Sequence, residues 1–286
     1  MHAAHLAPLA VVGLATALAG CGDKTDDGTD GTGGGDAADG ADGADGADGD
    51  DGGAETIYPS GQRILLYYGH EGYGPEGSGK AAFEAIDVEW KDRYGWNTDH
   101  RDSWTEDLSD YRFVGLLAPG AGGSASWSAD EVATFTGALE AGTRIAIFGD
   151  RSACGSPVVT ELLAALGTEM RFTGDAAAAN SVVQTDDING THQIGSEASA
   201  GVRMKEPCYI DPTGGNGVIR DNNNNVLVAA DPFGDGGEIV LVGDFQFMDD
   251  GSGYLDESDT RRFADNLVVV EPGYVAGGSD SGSGSR

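Results

Sequence analysis

Basic residues are scarce in this chain. Sixteen Lys and Arg stand against 48 Asp and Glu, a formal charge of −32 over 286 residues. A partner that binds nucleic-acid phosphates needs clustered Lys and Arg, so that class is excluded. Proline is also sparse: nine residues with no Gly-X-Pro period rule out a collagen-like rod. Long apolar runs are absent but for one at the N-terminus, Leu6–Ala19, which is too short to cross a bilayer comfortably. Cysteine is limited to Cys21, Cys154 and Cys208. Glycine, by contrast, is abundant at 48 residues, and much of it lies in one segment.

The uncharged run 6–19 has the length of a signal-peptide core. It ends on Leu18-Ala19-Gly20-Cys21, which resembles the lipobox of bacterial lipoproteins. That resemblance implies cleavage before Cys21 and acylation of its thiol and new amine. Residues 1–20 are then a leader, and the membrane is a partner through the N-terminal lipid. The leader departs from the pattern by offering His2 and His5 where Lys or Arg is expected. Gly22 stands where some bacteria place an inner-membrane retention Asp, which points to the outer membrane. Residues 22–56 carry eleven Asp and Glu55 against Lys24, with twelve Gly and no large apolar residue. Such a segment cannot bury enough surface to offset its ordering entropy, so 21–56 is expected to be an extended acidic tether. The tail 276–286 is expected to be disordered as well.

One folded domain is expected over 57–275. Arg63–Tyr68, Phe113–Ala118, Arg144–Phe148 and Glu238–Val242 are apolar runs closed by Gly or Pro-Gly, the pattern of strands buried on both faces. Ser128 with Glu131 predicts a capping box, with Val132, Phe135 and Leu139 on one helix face. Pro157 opens and Gly167 closes a second helix, and a third lies near Asp256–Leu267. Between 170 and 230 short apolar stretches read as strands, some antiparallel. The expectation is an α/β fold with a mainly parallel, doubly wound sheet and a β-rich insertion or edge.

The order of these runs, with Leu-Leu-Ala-Pro-Gly, Ala-Gly-Thr-Arg-Ile-Ala-Ile-Phe-Gly-Asp and Glu-Ile-Val-Leu-Val-Gly-Asp-Phe-Gln-Phe, resembles the class I glutamine-amidotransferase-like domains over about 62–270. It is most similar to their non-catalytic, envelope-associated branch. The resemblance implies a flavodoxin-like sheet. The catalytic members place Cys in Gly-X-Cys-X-Gly after a strand and a His-X-Glu pair after the last strand. Here Arg151 falls at the nucleophile position, and Gly243-Asp244-Phe245-Gln246 contains no His.

Other features weigh less. In an oxidising envelope Cys154 and Cys208 are expected to pair, closing a loop of ~55 residues. The alternative is a Cys154 nucleophile served by His70, His100 or His192. Gly74–Lys80 fits a phosphate-loop frame, but Ala81 stands where a hydroxyl is needed. Residues 249–256 resemble a calcium loop lacking its first carboxylate. Trp90, Tyr94, Trp96 and Trp104 lie near Asp99–Asp102 and serve either as packing or as a sugar grip. No metal set and no cofactor is expected. Ligands of doubly wound sheets bind beyond the carboxyl ends of the strands, which brings His70, Glu71, Asp150 and Asp244 into consideration as one crevice, with His70 and Glu71 as an acid–base pair. Three readings stay open. The domain binds a small ligand or an envelope protein, hydrolyses envelope glycan or peptide, or acts as a spacer.

Overall fold

The computed structural model describes residues 62–73, 83–104, 107–123, 125–196, 198, 201–249, 253–256 and 258–269. The lipobox, the tether, the phosphate-loop frame from Gly74 on and part of the calcium-like loop lie outside them. The elements in chain order are β1 (Arg63–Tyr67), α1 (Glu84–Tyr94), β2 (Asn97–Arg101), β3 (Tyr111–Leu117), α2 (Ala129–Glu140), β4 (Arg144–Phe148) and α3 (Pro157–Leu166). There follow β5 (Arg171–Ala176), β6 (Val182–Thr185), β7 (Asp187–Ile188), β8 (Val202–Lys205), β9 (Cys208–Asp211), β10 (Asn216–Arg220), β11 (Val226–Phe233), β12 (Gly237–Val242) and α4 (Ser258–Val269).

The fold is mixed α/β. Its main sheet runs β2-β1-β3-β4-β12-β11-β10-β7. The first five of these strands are parallel; β11, β10 and β7 continue the sheet antiparallel, and β9 joins β11 to β5. β6 and β8 form a separate antiparallel pair. Of the parallel strands, β1, β3, β4 and β12 are covered on both sides, which is why their sequences are mainly apolar runs. Ile64, Leu66 and Phe113 share one core layer with Phe83, Ile86 and Trp90 around α1 and with Phe263 and Leu267 of α4. Leu65, Val114, Ile145 and Ile147 share the other with Phe135 and Leu139 of α2 and with Val159 and Leu162 of α3.

The helix ends follow local chemistry. The Ser128 hydroxyl accepts from the Glu131 amide at 3.2 Å, and the Glu131 carboxylate accepts from the Ser128 amide at 2.7 Å. This reciprocal cap satisfies two donors that a helix start otherwise leaves unpaired. Pro157 occupies the first turn of α3, and Gly167 closes it in the left-handed conformation.

At the amino ends of the strands, Arg144 and Glu238 are both fully buried. Arg144 Nε donates to Glu238 Oε2 at 2.6 Å, and its guanidinium also donates to the carbonyls of Asn266 and Leu267 at 3.0 and 2.7 Å. His192 Nε2 lies 3.1 Å from Glu238 Oε1. This network ties β4, β12 and α4 together at the end of the sheet opposite the carboxyl ends of the parallel strands. Asp265 likewise fastens α4 to α1, accepting from Trp90 Nε1 at 3.2 Å, the Tyr94 hydroxyl at 3.0 Å and Arg93 at 2.9 Å. No helix among the described residues is long and apolar enough to cross a membrane.

Candidate functional site

The carboxyl ends of the parallel strands carry the loops most suited to binding. After β1 the chain turns through His70 and Glu71, whose φ angles are 56° and 55°. After β3, Ala118 has φ 46°. Left-handed backbone at residues with a Cβ costs about 1–2 kcal/mol each and persists only where the surroundings impose it. The bonds that impose it are visible: Gly120 N donates to His70 O at 2.8 Å, Gly122 N to Glu71 O at 2.8 Å and Tyr73 N to Leu117 O at 3.2 Å. A Cβ at Gly72 would lie 2.4 Å from Leu117 O, so this close approach requires glycine. The two loops at the β1/β3 switch point are therefore laced together, and the opening lies beside them.

That opening, of about 430 Å³, is lined by Tyr73 of the first loop, Asp150, Arg151 and Ser152 after β4, Lys205 at the end of β8 with Glu206 after it, and Gln246 after β12. Asp150 Oδ1 accepts from the Ser152 amide at 2.8 Å and from its hydroxyl, while Oδ2 faces Gln246 Nε2 at 3.4 Å. Arg151 donates to Ala177 O at 2.6 Å and lies 3.9 Å from the Glu206 carboxylate. Glu206 has φ 52°, a further strained position on this rim. The ring of Tyr73 packs on Phe245 at 4.7 Å, and its hydroxyl is shifted upward by burial and by Asp150, Asp244 and Glu206.

Asp244 lies behind the wall, 1% exposed. Its Oδ2 accepts from Lys205 N at 2.8 Å and its Oδ1 from Gln246 N at 3.0 Å, so it holds two rim residues in place. Burial, reinforced by Asp150, pushes its carboxyl up to about 7 against the opposing pull of these N–H donors.

Cys154 and Cys208 form a disulfide. Both sulfurs sit under the crevice, 3.4 and 3.2 Å from the Asp150 carbonyl oxygen. A Cβ at Gly149 would meet Cys208 Sγ at 2.8 Å, so the strand end and the bridge are in direct contact.

The four residues expected around one crevice divide into two groups. Asp150 and Asp244 belong to the crevice just described. His70 does not reach it, and its carboxylate partner is Glu131 rather than its neighbour Glu71. Its imidazole stacks on Trp127 at 3.7 Å, with Nε2 3.2 Å from Glu131 Oε1 and Nδ1 3.1 Å from the Tyr67 hydroxyl. Glu71 points toward Gly123, where a Cβ would meet its carboxylate. His100 Nε2 lies 2.6 Å from Asp87 Oδ2, and its Nδ1 bonds the Tyr68 hydroxyl. With His192 on Glu238, each of the three described histidines is engaged by a carboxylate away from the crevice. The Cys154–His pair is therefore not assembled: the thiol is in the bridge and the imidazoles are elsewhere. Among the described residues no cluster of three His, Cys, Asp or Glu has a metal-binding arrangement. Trp90 and Trp96 are fully buried packing residues, which settles their half of the sugar-grip alternative. Sequence reasoning missed Tyr73, Ser152, Lys205, Glu206 and Gln246. Of these, only Gln246, four residues beyond the end of the buried strand β12, carried a readable signal.

No protein-family model matches the chain, and no curated protein matches it in sequence. Solved structures do resemble it. The cytoplasmic protein STM1381 from Salmonella typhimurium LT2 superposes with a TM-score of 0.55 at 11% identity, over 72% of this chain and 98% of that one. The mmIFT52 N-terminal domain gives 0.54 at 14% identity, over 71% and 94%. The exo-β-1,4-mannosidase Op5Man5 from Opitutaceae bacterium strain TAV5 gives 0.46 at 12% identity, and this chain spans 37% of its length. The first two likenesses show a shared α/β fold.

Proposed function

We propose that this chain is a lipid-anchored cell-envelope protein whose α/β domain is a non-catalytic, amidotransferase-like binding module. Its crevice over β4 and β12 takes a small polar ligand or a polar segment of an envelope protein. The order of the parallel strands, β2-β1-β3-β4-β12, supports a flavodoxin-like assignment. Fold alone carries no activity, so the reading rests on the site. The observation that carries it is the disulfide: both cysteines of the domain are joined, and Arg151 stands where the amidotransferase nucleophile would be. The crevice keeps donors and acceptors of both charges, a composition suited to holding a polar group by hydrogen bonds. The lipid anchor is carried by Leu18–Cys21, with the acidic tether as spacer to the membrane.

Two measurements test this. Mass spectrometry of the protein from its native membrane should give an acylated N-terminal Cys21; an intact leader would defeat the anchor. Purified protein should release no ammonia from glutamine and should not cleave cell-wall fragments. Turnover abolished by Asp150→Asn would overturn the binding reading and favour a hydrolase. One observation leans toward that rival: a carboxyl raised to about 7 at Asp244 beside Asp150 has the character of an acid–base group.

A further inference from the structure

A second opening lies on the other side of the laced loops, over the start of α2. It is a crevice of about 670 Å³ lined by Trp104, Ser128, Asp130, Glu131, Ala133 and Thr134. It shares no residue with the Asp150 crevice. Trp104 is half-buried and steeply inclined to Phe135 and Tyr67, with ring centroids at 4.8 and 5.7 Å and interplanar angles of 69° and 88°. These contacts hold the indole at the crevice wall instead of letting it fold onto the surface. The neighbouring wall is equally fixed. Trp127 packs edge-on against Phe135 at 5.4 Å and donates from Nε1 to Val158 O at 2.9 Å. His70 is clamped between Trp127 and Glu131.

The polar groups differ in how far they are already engaged. Glu131 has one oxygen on His70 and the other on Ser128. Its charge is further offset by the amino end of α2. Asp130 is exposed, and its backbone carbonyl accepts from the Thr134 hydroxyl at 2.9 Å. What the crevice presents is an indole, one carboxylate free of the capping network, and the hydroxyl oxygens of Ser128 and Thr134.

We infer that this crevice is a carbohydrate subsite, taking a neutral sugar of about two rings with C–H groups against Trp104 and hydroxyls on Asp130, Ser128 and Thr134. The apolar faces of a sugar ring match an indole, and a carboxylate accepts two adjacent hydroxyls with strong charge-assisted bonds. An organic cation would also favour an indole. The compensation of Glu131 removes much of the charge that would select one, and the volume exceeds what an ammonium group fills.

The test uses the full chain and four probes: cellobiose, maltose, N,N′-diacetylchitobiose and choline. Trp90 and Trp96 are sealed in the core, so a change in indole fluorescence reports on Trp104 and Trp127. At least one disaccharide should give a saturable shift, weakened about tenfold or more by Asp130→Asn and by Trp104→Ala. Asp130 is exposed and stands outside the capping box, so its variant folds normally even if Trp104→Ala does not. Asp150→Asn should leave the shift unchanged. The inference is overturned if no disaccharide gives a saturable shift, if Asp130→Asn binds as the parent does, or if choline binds in place of every sugar.

Discussion

Replacing Cys154 and Cys208 together by alanine should lower stability by about 4 kcal/mol, the chain-entropy value for a closed loop of ~55 residues. The bridge joins the turn after β4 to the first residue of β9, with 54 residues of separation. The enclosed loop contains α3 and β5 through β8, together with the Lys205–Glu206 wall of the first crevice. Both half-cystines are buried, at 3% and 0% exposure, so the two vacated sulfur sites add a small packing loss in the same direction. For a domain of this size each kcal/mol moves the midpoint by roughly 2–4 °C, so calorimetry should record a fall of about 8–16 °C. The loss should also be uneven. Hydrogen exchange should accelerate at Asp150–Ser152 and over 202–208, which the bridge joins, while β1 and β3 keep their protection. A fall below about 3 °C, or an equal loss of protection in every strand, would refute the reasoning.

Glu238→Gln leaves the buried Arg144 cation without its counter-charge and should cost about 3–5 kcal/mol, read as a lower urea midpoint; a neutral result would show that the carbonyls of α4 suffice. The carboxyl of Asp244, raised by burial to about 7, contributes stability that is fully present below about pH 4 and is lost as pH rises through 7, up to about 4 kcal/mol. Asp244→Asn does not ionise, so its deficit against the parent should be larger at pH 5 than at pH 8; an equal deficit in urea melts at both values would contradict this. Ser128→Ala removes one half of the α2 capping box and should cost about 1 kcal/mol by thermal denaturation. His70→Ala removes the Trp127 stack and the Glu131 contact while relieving none of the backbone strain at this position, and His70→Gly relieves that strain. The glycine variant should therefore melt no lower than the alanine variant.

How far these features were legible depended on what each residue had to satisfy. β1, β3, β4 and β12 are buried on both faces, and only unbroken apolar sequence can do that, so they stood out. α2 and α3 were marked at their ends by Ser128-Glu131, Pro157 and Gly167. β2 was hidden because Asn97–Arg101 contains no apolar residue. It pairs on one side only and its side chains need no core. α1 was hidden because it buries only Ile86 and Trp90 while exposing Val88, so no apolar stripe is written in its sequence. Asp150 and Asp244 were readable because they follow buried strand ends directly. The partnership of His70 with Glu131 was not, because 61 positions separate them and the nearer Glu71 offers the same chemistry. Arg144 opens the wholly buried β4 and Glu238 is the second residue of the wholly buried β12, and a charge in that position was a sign of pairing that the sequence did contain.

The margins of the main sheet bear on whether copies of this domain associate. Among the described residues three strands lie at its margins: β2 offers Asp99, His100 and Arg101, β5 carries Arg171 and Asp175, and β7 is two residues long. An open strand can recruit the strand of a neighbouring molecule and so begin a polymer. Here charge disfavours docking at β2 and β5, and brevity disfavours it at β7.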